Sequence, residues 1–272
     1  MPCRISVSLE PSSELVYELP TSGRIVQHLF FSAIKAYDKD LASEIHSMRI
    51  KPYSVTRLTT ARENVKGKLA RVGLGSYVRA TFKLLRDELR EPLIEGLQKA
   101  ELKVAGVELK VLDVKATRPE GYEEMLFRGE PYREFTVEIL TPAVFDEESP
   151  FPEDSRPMFR RPLLCWNTFC PEELRLPESA VQRASKLKLL KCQLVRRVVP
   201  VPIKRLRVPI ICFSGTLAYR MGGLDFMSGL MLTALLKLAN YSGIGSRTTM
   251  GFGSVFIKPY VSCKEKGRSR LK

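Results

Sequence analysis

The sequence predicts an α+β fold in which two ferredoxin-like domains follow one another and a glycine-rich loop lies near the C-terminus. The length of 272 residues suits two domains of ordinary size. The elements predicted in the first domain follow the ferredoxin-like order β-α-β-β-α-β, and the second domain closes with strand, helix, loop and strand. We place the domains at residues 1–120 and 130–260, and a disordered basic tail at residues 261–272.

The first domain is predicted from periodicity and capping signals. Alternation of apolar and polar residues indicates a strand at residues 3–10, and an apolar stripe at helical spacing from Ile25 to Tyr37 indicates a helix that Thr21 or Ser22 caps. A second short helix follows Asp38 or Asp40 and ends at His46, before Pro52 forces an extended chain. The remaining predicted elements are strands at 51–60, 76–85 and 107–114 and a helix at 88–101.

The second domain is predicted to begin with an alternating strand at residues 134–140. An acidic, proline-bearing loop at 146–157 and a helix from Pro162 to Phe169 follow, and Trp166 in that helix is a candidate core anchor. Residues 181–209 contain nine basic residues and no acidic one, which predicts a basic helix that passes into a β-arm. A strand at 210–220, a helix at 224–238 and a strand at 255–257 complete the domain, whose order is that of RNA-recognition motifs (RRM-like).

Two Gly-x-Gly units separated by five residues form the glycine-rich loop. Glycine permits left-handed backbone and close approach, so amides, hydroxyls and a guanidinium in this loop can clamp a phosphate. A tight structural turn is the alternative, and the spacing matches neither the mononucleotide nor the dinucleotide fingerprint. The loop residues that we expect to contact the phosphate are Gly243, Gly245, Ser246, Arg247, Gly251 and Gly253.

The net charge of +14 is concentrated in the last third of the chain. Residues 181–272 hold 18 Lys/Arg against two Asp/Glu, whereas residues 1–180 hold 26 against 28. This asymmetry indicates a polyanionic partner, nucleic acid before membrane, and a solvated basic face is the alternative. The arm residues that we expect to bind RNA are Arg196, Arg197, Lys204, Arg205 and Arg207.

Composition argues against several other classes of protein. The chain has no apolar run of membrane-spanning length and no hydrophobic segment of signal-peptide type at its start, so we expect a soluble cytoplasmic protein. The six cysteines form no Cys-x-x-Cys pair and lie far in sequence from the two histidines, His28 and His46. We therefore expect free buried thiols, no metal site and no cofactor.

His46 is the strongest catalytic candidate. It stands at a predicted helix end, with Lys51 five residues later and Tyr37 and Tyr53 nearby in sequence. This grouping suits metal-independent RNA transesterification, in which a base deprotonates a ribose 2′-OH, the oxyanion attacks phosphorus and a cation offsets the charge. The leaving 5′-oxygen must also be protonated, so His46 can serve one of the two proton transfers while Lys51, Tyr37 or the geometry of the substrate serves the other. The alternative role for His46 is to cap the helix C-terminus, where it interacts with the helix dipole. His28 is predicted to be a surface residue, with an RNA contact as its second possible role.

The helix, the two Gly-x-Gly units and the final strand resemble the C-terminal signature of the RAMP superfamily of CRISPR-associated RNA-binding proteins. Residues 29–58 are similar to the active-site region of its repeat-processing endoribonucleases, the sixth Cas family. The resemblance extends over nearly the whole chain. It implies that His46 is the catalytic histidine and Lys51 the phosphate-stabilising lysine. Some relatives carry a catalytic tyrosine near Phe31, which has no hydroxyl, and Tyr37 is the candidate substitute.

The resemblance also implies a substrate and partners. It implies cleavage at one site in each CRISPR repeat of precursor crRNA, leaving 5′-hydroxyl and 2′,3′-cyclic phosphate ends. Further partners to consider are subunits of a CRISPR interference complex and a second copy of the chain, in a homodimer; a membrane is not expected. The rival functions are a non-catalytic RAMP subunit that holds repeat RNA and a general RNA-recognition binder, the latter disfavoured because the chain has no RNP-like string.

Overall fold

A computed structural model describes residues 1–60, 64–66, 68–145, 151–203 and 206–260 of the chain. The predicted tail at 261–272, the first part of the predicted acidic loop and two arm residues, Lys204 and Arg205, lie outside the described residues.

The first half of the chain forms an antiparallel sheet with helices packed on one face. The strands of this half of the chain are β1 (Cys3–Pro11), β2 (Leu15–Glu18), β3 (Tyr53–Val55), β4 (Thr59–Thr60), β5 (Asn64–Lys66), β6 (Leu69–Val72), β7 (Val78–Leu84), β8 (Lys103–Val104) and β9 (Val107–Ala116). Its helices are α1 (Gly23–Tyr37), α2 (Lys39–Ser47) and α3 (Arg90–Lys99). The strand order of the main sheet is β3-β7-β1-β9-β8, with β4 beside β7. The strands β1, β3, β7 and β9 with α1 and α3 give the predicted β-α-β-β-α-β order.

Burial explains why these elements form. Every second residue of β1 is buried, so Ile5, Val7 and Leu9 join the core beneath α1 and α3. The Asp38 carboxylate accepts the amides of Asp40 (2.7 Å) and Leu41 (3.0 Å), which confirms the predicted start of α2.

Two features of this half differ from the sequence-based expectations. Ser22 precedes α1, but its hydroxyl donates to the Leu19 carbonyl (3.0 Å) and makes no capping bond, so the predicted side-chain cap is wrong. A separate sheet of order β2-β6-β5 was not predicted. Strands of three or four residues are too short to show a clear period in the sequence.

The second half repeats the same topology. Its elements are α4 (Tyr122–Phe127), β10 (Glu134–Ala143), α5 (Arg156–Phe169), α6 (Ser179–Arg183), β11 (Lys188–Ile203), β12 (Leu206–Arg220), α7 (Phe226–Ser242) and β13 (Val255–Pro259). The order β11-β12-β10-β13 corresponds strand for strand to β3-β7-β1-β9. The prediction of two tandem ferredoxin-like domains is confirmed.

Helix α5 begins six residues earlier than predicted, at Arg156 rather than Pro162. Pro157 occupies the first turn, where its missing N–H costs no hydrogen bond, and Pro162 lies inside the helix. Burial of Trp166 and its neighbours offsets the bond lost at Pro162, and the indole Nε1 donates to the Leu174 carbonyl at 2.7 Å. Trp166 is therefore the predicted core anchor.

The strands β11 and β12 form the predicted basic β-arm, which extends beyond the end of β10. The arm packs on the glycine loop through a small apolar cluster that includes Val199, Val201, Cys212 and Phe252. Close to its turn, the Arg207 guanidinium pairs with Glu18 of the first domain at 2.9 Å. The arm is thus held to the body of the protein by this apolar cluster and by an ion pair close to its turn.

The two domains meet through backbone contacts and a buried lysine. Gly23, the first residue of α1, lies directly on the backbone of Gly251 in the glycine loop, so a Cβ at either position would overlap the other residue. The Ser54 hydroxyl donates to the Tyr241 carbonyl at 2.5 Å. The fully buried Lys83 ammonium donates to Ser254 Oγ at 2.8 Å, and burial, helped by Arg4, lowers the pKa of Lys83 to about 7.

We expect Lys83 to make the stability of the protein depend on pH. Below a pH of about 7 the lysine is charged in folded and unfolded chains, and the folded state carries the full burial penalty. Between that pH and the ordinary lysine pKa the unfolded chain binds more protons, so the free energy of unfolding rises as the pH rises. Denaturant unfolding across this window should show the rise in the wild type and a flatter profile in Lys83→Met, which removes the titrating group. Parallel profiles for the two proteins would contradict the assignment.

Candidate active site

His46 and Lys51 are joined through the backbone at the end of α2. The Lys51 ammonium donates to the carbonyl oxygen of His46 and to that of Met48, the latter at 2.5 Å. Carbonyl groups at a helix C-terminus lack intrahelical partners, and a cation there also complements the helix dipole. This local chemistry folds the loop after α2 back on itself and leaves the His46 side chain exposed.

Phe31 of α1 stands against the imidazole ring of His46. The two ring centroids are 5.6 Å apart in an edge-to-face arrangement, and the Tyr53 ring lies 5.9 Å from Phe31. The position for which the sequence resemblance implies a catalytic tyrosine is therefore beside His46, but Phe31 has no proton to transfer. The Tyr53 phenol is buried, and burial raises its pKa to about 12, so it has a structural role.

Tyr37 is not brought to His46. It is the last residue of α1, and the ammonium group of Lys99 on α3 lies 5.5 Å from the centre of its ring. His46 lies seven residues along α2 from Lys39, which is about 10 Å of helix. The structure thus places Tyr37 and His46 at opposite ends of α2.

A positively charged cleft of about 460 Å³ opens beside Lys51, between the loop after α2, the first half of α5 and the glycine loop. Its described lining contains no carboxylate. The cationic residues that line it are Arg49, Lys51, Arg160, Arg161 and Arg247. Partial burial lowers the pKa of Lys51 below the ordinary lysine value. His46 does not line the cleft itself but adjoins it through Lys51.

The glycine loop connects α7 to β13, as predicted, and divides into a cleft-lining part and a packed part. Residues 245–249 line the cleft. Behind them the Ile244 amide donates to the Gly253 carbonyl (2.8 Å), and the Gly253 amide donates to the Pro142 carbonyl (2.9 Å). Of the predicted phosphate-binding residues, Gly245, Ser246 and Arg247 line the cleft, whereas Gly243, Gly251 and Gly253 are buried.

Arg247 has a left-handed backbone with a φ of 60°. This conformation costs a residue with a side chain roughly 1–2 kcal/mol, and such outliers cluster at functional sites. The two Gly-x-Gly units lie on either side of Arg247 in the chain. They hold a strained arginine among four other cations.

The other predicted RNA-binding residues lie outside this cleft. Arg196 is exposed on β11, and Arg197 lines a separate hollow of about 390 Å³ together with Arg57 and Lys68. His28 is exposed and borders another hollow, beside Arg24 and Lys103. Arg207 is engaged with Glu18, whereas Lys204 and Arg205 lie outside the described residues.

Sequence reasoning missed three of the cationic residues of the cleft, Arg49, Arg160 and Arg161. They belong to residues 1–180, where acidic residues balance the basic ones, so the charge count concealed them. The adjacent pair Arg160-Arg161 was the available signal.

Two further predictions concern metals and thiols. Across the described part of the chain, no three His, Cys, Asp or Glu side chains are grouped so that they could hold a metal ion. Cys3, Cys165 and Cys212 are free and buried as expected, but Cys192 is free and exposed. Cys263 lies outside the described residues.

Among the described helices, none has both the length and the apolar character needed to cross a membrane.

Residues 137–255, from β10 through the glycine loop to the start of β13, match the family model of the CRISPR-associated endoribonuclease Cas6. This half of the chain is similar to Cas6 proteins. A curated Cas6, the CRISPR-associated endoribonuclease of Mycobacterium tuberculosis, is 22% identical over 265 residues, which cover 94% of this chain and 78% of that protein. The resemblance to repeat-processing endoribonucleases inferred from the sequence is confirmed.

Solved Cas6 structures share the fold. A product complex of Thermus thermophilus Cas6 has a TM-score of 0.75 and 20% identity, and the match covers 95% of this chain and 100% of that one. A RAMP protein described as binding different RNA substrates has a TM-score of 0.63 and 16% identity, over 94% of this chain and 99% of that one. The tandem ferredoxin-like architecture of this chain is therefore that of known Cas6 structures.

Proposed function

We propose that this chain is a Cas6 endoribonuclease that cleaves precursor crRNA within its repeats, without a metal, by attack of a ribose 2′-OH on the adjacent phosphorus. The observation that carries the proposal is the junction of His46 and Lys51 at the edge of a cleft with five cationic side chains. A phosphate held in this cleft lies beside a group that can transfer protons near neutral pH and beside positive charge.

The reaction needs two proton transfers. The 2′-oxygen loses a proton and bonds to phosphorus, the bond from phosphorus to the 5′-oxygen breaks, and the leaving 5′-oxygen takes up a proton. The products are a 2′,3′-cyclic phosphate and a 5′-hydroxyl. His46 performs one transfer, and Lys51, whose pKa is lowered, is the adjacent group available for the other. Lys51 and the arginines of the cleft offset the charge on the phosphoryl oxygens.

RNA binding is supported by the charge of the cleft and by the relatives. One Cas6 of the same fold was solved as a product complex, and a RAMP protein of that fold binds different RNA substrates. Residues 245–249 add hydroxyl groups to the cleft lining, and the basic arm packs on the glycine loop that carries them. We assign repeat RNA as the substrate class on this basis.

A non-catalytic RAMP subunit is the second candidate. Phe31 favours it, because this side chain stands beside His46 where some relatives have a tyrosine. A protein of this kind would bind repeat RNA through the same cleft and leave it intact.

The test is cleavage of end-labelled cognate repeat RNA by the purified protein in excess EDTA. We expect cutting at one site with a cyclic phosphate on the upstream fragment. The matched control is the same RNA with a single 2′-deoxynucleotide at that site, which should bind equally well and stay intact because the nucleophile is gone. Binding without any cutting of the all-ribose RNA would support the non-catalytic subunit. Cutting that EDTA abolishes and added Mg²⁺ restores would contradict the metal-independent mechanism.

A further inference from the structure

We propose that α5 forms one wall of a track for single-stranded RNA that crosses the loop after α2, with phosphates bound on one side of the loop and a base on the other. The proposal rests on the proposed function and adds to it the path of the nucleotides that flank the cleaved bond.

The track consists of two hollows that share Arg49. The first is the cationic cleft. The second, of about 590 Å³, lies on the other side of the loop and is lined by Met48, Ile50, Arg86, Glu88, Thr168 and Phe169 in addition to Arg49. Lys51 lines the first hollow, whereas Met48 and Ile50 line the second, so neighbouring loop residues point to opposite sides. The loop held by Lys51 and the His46 carbonyl is thus a ridge between the hollows.

One face of α5 borders both hollows. Pro157, Arg160, Arg161 and Leu164 line the first, and Thr168 lines the second. Spacings of three and four residues place these side chains on one side of a helix. From Pro157 to Thr168 this face is about 16 Å long. The helix therefore runs past the ridge and continues along the second hollow.

The two hollows differ in chemistry. The first carries five cationic groups, and the buried Nε of Arg161 has no hydrogen-bond acceptor in the part of the chain that the structure describes. Phosphate oxygens are the acceptors that a guanidinium binds best in RNA. In the second hollow the Arg86 charge is compensated by Glu88 at 2.6 Å. Besides Arg49 and Thr168, its remaining lining is apolar and includes the half-buried ring of Phe169, which suits an unstacked base.

The consequence concerns the position of the cleaved bond. RNA that places phosphates against α5 in the first hollow and a base on Phe169 in the second must cross the ridge next to His46. Base-paired RNA cannot present a single base to Phe169, so the nucleotides on the ridge are single-stranded.

The phosphate side is tested with Arg160→Gln/Arg161→Gln, which keeps the apolar stems and removes both charges. The control is Arg175→Gln, an exposed arginine that follows α5 and pairs with Glu172 outside the track. Affinity for the uncleavable 2′-deoxy repeat RNA is measured over a range of salt concentrations. Each single-strand phosphate contact contributes about 0.7 to the slope of log affinity against log salt, so the double variant should lose about 1.4 and the control little. Equal slopes for the double variant and the control would overturn the proposal.

The base side is tested with Phe169→Leu, which keeps apolar volume and removes the ring. We expect affinity for the same RNA to fall about fivefold or more, since stacking on an aromatic ring contributes roughly 1–3 kcal/mol per base, with the salt slope unchanged. An abasic nucleotide placed next to the cleavage site should abolish this difference between wild type and variant, whereas one placed far from the site should preserve it. A loss of affinity that no abasic position removes would show a packing role alone and overturn the base site.

The outcomes separate this inference from the proposed function. Unchanged salt slopes in a protein that still cuts repeat RNA would remove the track and keep the endoribonuclease. A reduced slope in a protein that cuts no repeat RNA would keep the track and remove the endoribonuclease. Thermal unfolding of each variant identifies any that fails to fold, and Arg161→Gln alone, with an expected loss of about 0.7 in slope, then replaces the double variant.

Discussion

Replacement of His46 by alanine is expected to slow cleavage of repeat RNA by roughly 10²- to 10⁴-fold, the range for loss of a general acid or base. The imidazole is exposed, and its described ring contact is the edge-to-face pair with Phe31, so its removal should alter the fold little. The Lys51 ammonium binds the backbone carbonyl of His46, which the substitution retains. RNA affinity should therefore stay close to that of the wild type while the single-turnover rate falls.

His28→Ala is the matched control for this experiment. His28 is also exposed on a helix, but it borders a different hollow, so its replacement should leave the cleavage rate unchanged. Tyr37→Phe should likewise cut at the wild-type rate, because the phenol stands at the far end of α2. Equal rates for wild type and His46→Ala would contradict the assignment of His46 and would move the chemistry to His28, Lys51 or Tyr37.

Gly253→Ala is expected to be the most damaging single methyl addition in the glycine loop. Gly253 has a φ of 63°, and a methyl group there would overlap the carbonyl oxygen of Ile244. The Ile244 amide also donates to the Gly253 carbonyl, so relief of the clash breaks the bond that closes the loop. Together with the left-handed strain, we expect a loss of about 3 kcal/mol or more in the free energy of unfolding.

Gly75→Ala separates the two causes of this loss. Gly75 has nearly the same backbone, with a φ of 72°, but a methyl group there meets no other atom within 4 Å. It should cost only the left-handed strain of about 1–2 kcal/mol, and denaturant unfolding of both variants measures the difference. RNA cleavage should survive in Gly75→Ala and fall in Gly253→Ala, since residues 245–249 depend on the closed loop. Equal destabilisation by the two substitutions would contradict a close-approach role for Gly253.

The parts of the fold that the sequence predicted are those governed by local chemistry. The alternation in β1 and the Asp38 cap of α2 depend on neighbours within a few residues, and both are observed. The early start of α5 was missed because burial of Trp166 and the residues around it outweighs the signal of Pro162.

The candidate site was predictable in part. His46, Lys51 and Arg247 were found from motif resemblance, but their environment comes from segments that are far apart in sequence. Arg49, Arg160 and residues 245–249 meet only after both domains have folded and docked. The left-handed backbone of Arg247 and the edge-to-face contact of Phe31 with His46 have no local signature either. Such features depend on tertiary packing, which periodicity and composition do not report.

The contact between Gly23 and Gly251 makes α1 a rigid connection between the glycine loop and α2. The helix starts on the glycine loop of the second domain, runs about 22 Å and ends at the residue before the Asp38 cap of α2. At its first end the two segments touch backbone to backbone, with no side chain between them that could change rotamer and absorb movement. Under the proposed function, RNA that displaces the loop would push on α1 and, through it, on the helix that carries His46. RNA bound to one domain would in this way affect the position of His46 in the other.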